Sequence, residues 1–145
     1  MAKLSGQFLT IDLDDSAAAI QDISADIESI DIPDEYGELD VTGFSDGAVN
    51  SLAGMPAFNV ELSGNFNAAA SNGFFTVISG IVGGTTSRTL TVQVGQGAAP
   101  TGGDPEFEGE FWCQKMNISA TPQGKVTLTA SLRPSGSTAP AWGTV

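Results

Sequence analysis

The sequence predicts a mostly β protein, an antiparallel β-sandwich or barrel with one flanking α-helix at about residues 67–82. Three observations predict it. Apolar and polar residues alternate with a period of two over most of the chain, as in strands that bury one face. Clusters of Gly, Pro and Asp separate these segments. Only one segment changes to the spacing of a helix, and such a set of elements folds as a sandwich or barrel with a packed helix.

In the first half of the chain, residues 7–13 alternate and predict a strand. Residues 23–32 also alternate, but the apolar face switches near Ser29, which indicates a β-bulge or a strand covered on both sides. Residues 38–42 predict a short strand. Residues 43–56 contain five Gly, Pro or Asp breakers, so we expect a long loop there.

The middle of the chain carries the clearest strand, residues 57–66, in which apolar and polar side chains alternate without a break. Asn67 then stands at a position suited to a helix N-cap. The residues that follow at helical spacing are Ala70, Phe74, Val77, Ile78 and Ile81. Gly83 and Gly84 supply the stop signal.

Three further strands are predicted, at residues 87–94, 106–119 and 125–133. We therefore expect a single β domain over residues 1–136. Residues 137–145 are rich in Gly, Ser and Pro and are expected to form a flexible C-terminal tail.

The charge balance argues against nucleic-acid binding as the primary role. The 145 residues hold 17 acids and 5 bases, a net charge of −12, and the bases form no cluster. A protein that binds the phosphates of nucleic acid needs clustered Lys and Arg, and binding to an anionic membrane has the same requirement. No stretch approaches the roughly 20 apolar residues of a membrane span. The N-terminus lacks the apolar core of a signal peptide, so we expect synthesis and retention in a cytoplasm.

The chain also lacks the usual catalytic groups. It has no histidine, which removes the commonest general base, metal ligand and nucleophile activator. Its one cysteine, Cys113, is expected to be a small core residue. We therefore predict no enzyme activity, no catalytic residue, no cofactor and no metal. The two tryptophans, Trp112 and Trp142, are candidate contact anchors as well as candidates for the core and the tail.

The order of these features resembles the tail tube proteins of long-tailed bacteriophages. An opening strand ends in an acidic turn at residues 12–15. Glu-Leu-Asp-Val-Thr-Gly-Phe-Ser-Asp follows at residues 38–46, and a Ser-Leu-Ala-Gly-Met loop at residues 51–55. The strand at residues 58–67 then runs directly into the helix. The resemblance covers roughly residues 7–136 and consists of strand and turn motifs.

The resemblance implies that six subunits close a ring around a pore and that rings stack into a tube. It implies that the chain's partners are copies of itself and other tail proteins (tape measure, tail terminator and tail tip). DNA would pass the lumen as cargo that does not bind, with no membrane partner. The protein would then belong to the virion tail and be assembled in the cytoplasm of the bacterial host.

In such proteins a long loop, matching roughly residues 34–56 here, helps to contact the neighbouring ring. The candidate inter-ring residues are Asp34, Glu35, Tyr36, Glu38, Phe44, Asp46, Leu52 and Met55. Trp142 is a candidate anchor in the C-terminal tail.

The acidic composition suits a channel for DNA. Twelve of the 17 acids lie between Asp12 and Asp46, and a six-membered ring would carry a charge of about −72. Acids that face a channel repel phosphate over a screening length of about 8 Å. The candidate lumen-facing acids are Asp26, Glu28, Glu61, Glu106, Glu108 and Glu110.

Three alternatives stay open at this point. A head decoration or cement protein would share the acidic β fold but would form trimers or bind capsids. A fibre-type β binding module would need exposed aromatic residues, for which Tyr36 and the two tryptophans are the candidates. An enzyme that uses carboxylates alone is the third, although acids alternating with Thr and Ser are typical of a solvated sheet face.

Overall fold

The computed structural model describes residues 6–145. A short 3-10 helix, Gly6–Phe8, leads into the first strand. The strands of the described residues are β1 (Leu9–Asp14), β2 (Ile20–Asp22), β3 (Ile27–Asp31), β4 (Glu35–Asp40), β5 (Ser51–Ala57), β6 (Val60–Asn65), β7 (Arg88–Val94), β8 (Pro105–Ser119), β9 (Thr127–Pro134) and β10 (Ala141–Thr144). One α-helix, α1 (Phe74–Ile81), lies between β6 and β7.

Eight of these strands form one antiparallel sheet in the order β2-β1-β7-β8-β9-β6-β3. The eighth strand, β10, pairs with the first part of β8, while β9 pairs with its second part. Strands β4 and β5 pair only with each other and form a separate two-stranded sheet, which we call the β4–β5 hairpin. The expectation of a mostly antiparallel β fold with one helix is confirmed.

The large sheet curls toward closure. Strands β1 and β3 are far apart in the strand order, yet Leu9 and Ile11 of β1 and Ile27 and Ile30 of β3 line one cavity of about 340 Å³. The chain between β2 and β3 crosses this gap, where Ser24 Oγ accepts a hydrogen bond of 2.7 Å from the Ile11 amide. The sheet is therefore a partly open barrel.

The core lies inside this barrel and against α1. Four side chains of the helix are buried (Phe74, Val77, Ile78, Ile81). They meet inward-facing residues of β1, β6, β7, β8 and β9. Within this core, the ring of Phe107 packs against Phe58 at 5.6 Å and against Phe111 at 6.1 Å between ring centroids. Cys113 belongs to this core, and burial raises the pKa of its thiol.

The predicted start of the helix is wrong by seven residues. The helix begins at Phe74, and its N-cap is Gly73 rather than Asn67. Gly73 lies so close to the preceding turn that a Cβ there would meet the Asn67 carbonyl oxygen at 2.5 Å. The Asn67 side chain instead accepts a hydrogen bond from the Ala69 amide and donates to Asp26. Residues 67–73 are therefore a compact turn in front of the helix.

Two segments that the sequence predicts as loops contain strands. The long loop at residues 43–56 ends in β5, which pairs with β4 from Glu35 to Asp40. The tail at residues 137–145 contains β10, hydrogen-bonded to β8. The expected bulge near Ser29 is confirmed, because the pairing of β3 with β6 shifts between Ile27 and Ser29.

The C-terminal segment can pair with β8 because β8 is longer than β9 and its first residues have no partner in β9. After β9 ends, residues 135–140 loop out and the chain returns to the same edge of β8 as β10. The loop crosses β8 at Gly109, where a Cβ would lie 2.5 Å from the ring of the buried Pro140. A glycine at this position lets the loop pass.

Candidate assembly surfaces

The outer face of the sheet, opposite the core, carries acids on three of its strands. In β1, β7 and β8 the inward positions are filled by buried residues such as Ile11, Leu90 and Phe107. Because side chains alternate along a strand, the polar residues between them face outward. We call the outward carboxylates of β1, β2 and β8 the acidic face: Asp12, Asp14, Asp22, Glu106, Glu108 and Glu110.

The acidic face is arranged in rows across the strands. In the central row, Asp22 pairs with Asp12, Asp12 with Thr91, and Thr91 with Glu108. Strand β7 contributes no acid to any row and so separates the carboxylates of β1 from those of β8. Its neutral side chains donate to the acids of β8, Thr89 to Glu110 at 2.5 Å and Gln93 to Glu106 at 2.7 Å.

No acid of this face forms an ion pair with a base in the described chain. Partial burial and the neighbouring Asp22 carboxylate both raise the pKa of Asp12. The ion pairs of residues 6–145 involve other acids, Glu28 with Lys125 and Glu61 with Arg133. The six carboxylates of the acidic face therefore present a negative surface without a basic counterpart in the described chain.

The structure brings four of the six candidate lumen acids to the outer side of the sheet. Glu106, Glu108 and Glu110 lie in the acidic face. Glu61 is on the same side two strands away, where Ser131 and Arg133 bond its carboxylate.

The other two candidate lumen acids lie elsewhere. Asp26 accepts hydrogen bonds from the Asn67 side chain and from the Phe74 amide at the start of α1. Glu28 sits in the bulge of β3 and pairs with Lys125. Both therefore have contacts within their own subunit that fix the local fold.

The sequence prediction missed Asp12, Asp14 and Asp22 as members of this surface. A signal for the first two was present, because they alternate with Ile11 and Leu13 just as the glutamates of β8 alternate with its phenylalanines. Asp22 had no such signal, since β2 is only three residues long.

The β4–β5 hairpin forms a second surface and exposes large apolar side chains on a protruding element. Of the thirteen large apolar residues that are exposed within residues 6–145, seven are in it: Tyr36, Leu39, Val41, Phe44, Val49, Leu52 and Met55. Phe44 is fully exposed, and the exposed fraction of Met55 is 85%. Leu39 and Leu52 lie directly opposite each other on one side of the hairpin. A contiguous apolar group of this kind marks a contact site.

The eight candidate inter-ring residues all lie in this hairpin or at its base, and all eight are exposed. Asp46 differs from the rest because its carboxylate accepts a hydrogen bond of 2.6 Å from the Gly43 amide, which lowers its pKa. Asp46 therefore shapes the tip of the hairpin. Leu39, Val41 and Val49 join the surface without having been singled out from the sequence.

The two tryptophans take different positions. Trp142 of β10 pairs with Phe107 of β8, with 5.3 Å between ring centroids, and remains 46% exposed. It therefore covers the edge of the core. Trp112 is half-buried on the outer side of β8, opposite Arg133 of β9.

Within residues 6–145, no three His, Cys, Asp or Glu side chains come together as a metal site. No helix in this part of the chain has the length and apolar character needed to span a membrane.

The fold matches chains from tail-like assemblies. A chain in the "tail of empty GTA particle", refined with helical and C6 symmetry, superposes with a TM-score of 0.73 at 17% identity, covering 99% of both chains. A chain of the native gene transfer agent virion gives 0.72 at 15% identity, covering 99% of both. A chain from the PVC sheath/tube terminator of an extracellular contractile injection system gives 0.72 at 9% identity, covering 99% of this chain and 98% of the other.

No family model and no curated protein sequence matches the chain. At these identities the structural matches show the fold, which extends over the whole chain, and the resemblance to tail tube proteins is confirmed at that level. The fold is therefore one that chains of tail and injection-system assemblies share.

Proposed function

We propose that this chain is a structural, non-enzymatic subunit of a phage tail tube, in which six copies close a ring and the rings stack around a lumen that conducts DNA. The observation that carries the proposal is the protruding β4–β5 hairpin. It exposes seven large apolar residues that have no place in the subunit's own core, on a chain that has the fold of tail assemblies from end to end.

Ring formation is supported by the open edges of the sheet. Among the described residues, β2, β3 and β10 each pair on one side only. The second half of β8 pairs with β9, but on its other side its partner is the single bridge of Cys113 to Val82. Unpaired edges are a hazard in a monomer, and pairing between subunits satisfies them. The sixfold order is taken from the C6 symmetry of the matched tail.

Stacking is supported by the β4–β5 hairpin. Contacts between unlike surfaces generate rings when they close and open stacks when they do not. The hairpin is such a surface, because it projects from one end of the sheet. It carries apolar side chains together with four acids and no base (Glu35, Glu38, Asp40, Asp46). We assign to it the contact between neighbouring rings.

The acidic face suits the lumen. Its six carboxylates have no basic partner in the described chain and lie on the side of the sheet away from the core and α1. In a ring they would repeat in every subunit and repel phosphate within a screening length of about 8 Å. Glu61 would extend this surface. DNA would then pass without binding.

The remaining assignments follow from this role. The protein would be a component of the virion tail, made and assembled in the host cytoplasm. It would contact the tape measure inside the tube, and the tail terminator and tail tip at its two ends. The matched assemblies include a sheath/tube terminator and a tube-terminating cap, so the same fold occurs at tube ends as well.

Electron microscopy of the purified protein, with mass photometry on the same sample, tests the proposal. Hollow tubes or stacks of six-membered rings are the expected result. Rings that never stack would assign the chain to a tube end instead of the tube. Trimers, or binding to capsids rather than to tails, would overturn the proposal in favour of a decoration protein.

A further inference from the structure

A stack of rings needs a second surface that receives the β4–β5 hairpin. The hairpin leaves the sheet where β3 ends at Asp31 and re-enters it where β6 begins at Val60, and these two ends lie side by side. Because stacked rings meet head to tail, the receiving surface has to be at the opposite end of the strands. That end lies six residues away along β6, or about 20 Å.

An exposed apolar group occurs at that opposite end. Phe66 directly follows β6, and its amide donates to the carbonyl oxygen of Val126, which precedes β9. Ile118 near the end of β8 pairs with Leu128, so it lies diagonal to Val126 on the same side of the sheet. We call these three exposed residues, Phe66, Ile118 and Val126, the distal patch.

The distal patch is a supported surface. The ring of Phe66 lies on the ring of Phe75 of α1, with 4.6 Å between centroids. Leu128, the cross-strand partner of Ile118, is fully buried. The patch is therefore the end of the core left uncovered within the subunit, and an apolar partner can extend the core across it.

Opposite charges favour the β4–β5 hairpin as the partner of the distal patch. The β4–β5 hairpin carries four acids and no base (Glu35, Glu38, Asp40, Asp46), whereas residues 120–126, the β8–β9 connection beside the distal patch, carry one base, Lys125, and no acid. Lys125 stands next to Val126 and is 55% exposed although it pairs with Glu28. Complementary charge steers encounter and fixes the register between two surfaces.

From these observations we infer that the distal patch is the docking surface for the β4–β5 hairpin of a second copy of this chain in the adjacent ring. Exposed apolar residues of the hairpin would cover the patch, and its acids would lie near Lys125. This inference rests on the proposed tube function and specifies the contact by which rings stack.

Two variants that each lose one half of the contact test the inference. The hairpin-blocked chain carries Phe44→Asp and Leu52→Asp, and the patch-blocked chain carries Ile118→Asp and Val126→Asp. Each variant alone should form rings that do not stack. In an equimolar mixture one contact is intact, that between the hairpin of the patch-blocked chain and the patch of the hairpin-blocked chain. Assembly should therefore stop at pairs of rings, with twice the mass of one ring.

Thr129→Asp is the control for each of the two patch substitutions, since it adds one negative charge to β9 on the exposed outer side, away from the distal patch. This variant should stack like the wild type. Circular dichroism checks that every variant is folded. If the patch-blocked chain is unfolded, Lys125→Glu replaces it, and the stacking of this variant's rings on one another should weaken roughly threefold to tenfold relative to the wild type.

The outcomes separate the inference from the function on which it rests. Wild-type tubes together with a mixture that contains only single rings would overturn the inference and leave the tube function standing. A folded patch-blocked chain that cannot form rings would also overturn it, because the patch would then lie between neighbours within a ring. A wild-type protein that forms neither rings nor stacks would overturn the tube function, and the inference with it.

Discussion

The carboxylate of Asp26 accepts a hydrogen bond of 3.1 Å from the backbone amide of Phe74, the first residue of α1. The N-cap residue of this helix, Gly73, has no side chain that could accept such a bond. A residue 48 positions earlier in the chain therefore supplies the cap. Because Asp26 also accepts from the Asn67 side chain, it joins the start of β3, the turn before the helix and the helix itself.

Removing this carboxylate is expected to destabilise the subunit. Asp26→Ala leaves the Phe74 amide and the Asn67 side chain without their acceptor, and losing a helix cap of this kind costs about 1–2 kcal/mol. The free energy of unfolding in urea measures the loss. Asp34→Ala, at an exposed position before β4, is the control and should change stability little. Equal unfolding midpoints for the two variants would show that Asp26 does not cap the helix.

The raised pKa of Asp12 predicts a pH dependence of stability. A raised pKa means that the folded protein binds the proton more tightly than the unfolded chain does, so this group lowers stability as pH rises through and above the ordinary value of 3.8. Asp12→Asn removes the effect. The variant should be more stable than the wild type at pH 7, and the difference should shrink as pH falls below 3.8.

Thermal unfolding at several pH values, at protein concentrations too low for assembly, measures this difference. Glu108→Gln is the matched control, since it removes one exposed charge from the same row of the acidic face. A stabilisation by Asp12→Asn that is the same at pH 3 and pH 7 would contradict the explanation from burial and from Asp22.

Trp142 is expected to contribute to stability, in contrast to the flexible tail that the sequence predicts. Trp142→Ala removes the contact with Phe107 and exposes that edge of the core, which should cost about 2 kcal/mol. Chemical denaturation checks the value. Val145→Ala, one residue beyond the end of β10 and also exposed, should have little effect. A Trp142→Ala variant as stable as the wild type would restore the loose-tail interpretation.

The sequence predicted the elements that bury side chains in a regular pattern. The strands β1, β6, β7, β8 and β9 were predicted within a few residues, because in each of them buried positions alternate with more accessible ones. The helix was predicted for the same reason, since its four buried residues have helical spacing. The regular part of the fold is thus encoded locally.

The elements that the sequence missed are held by partners distant in the chain or lack an alternating pattern. All residues of β10 are exposed, so its existence depends on the free edge that β9 leaves on β8. The start of α1 depends on Asp26, whose role no local motif announces. β5 was hidden because Gly54 and Pro56 lie within it. Pairing with β4, and not burial, forms this strand.

The β4–β5 hairpin can be shortened without touching the large sheet. Asp40 and Ser51 are the last paired residues before the tip, so replacing residues 41–50 by Asn-Gly closes the hairpin with a two-residue turn. The variant loses Phe44 and Val49 and keeps β4 and β5. We expect a folded subunit with wild-type stability that no longer forms tubes.

Electron microscopy and sedimentation check the loss of tubes. As a control for the shortened chain, a second variant carries a ten-residue Gly/Ser segment in place of residues 41–50. This variant should also form no tubes, because the segment restores the length of the hairpin but not its apolar side chains. Tubes of normal length from either variant would remove the hairpin tip from the contact between rings.

Neutralising part of the acidic face should make the lumen retain DNA. Changing Glu106, Glu108 and Glu110 to Gln lowers the net charge of each subunit from −12 to −9 and leaves the polar pairing of β8 with β7 possible. Co-sedimentation of tubes with a fluorescent oligonucleotide measures retention. The variant should retain several-fold more DNA than the wild type at 0.1 M salt, where the screening length is about 10 Å.

The difference should shrink at 1 M salt, where the screening length falls to about 3 Å. The control changes Asp34, Glu35 and Glu38 of the hairpin to Gln, which gives the same net charge but leaves the acidic face intact. DNA retention is compared per amount of sedimented tube. Because the two variants differ only in where the charge is lost, equal retention by both would mean that net charge alone governs DNA binding and that the acidic face does not line the lumen.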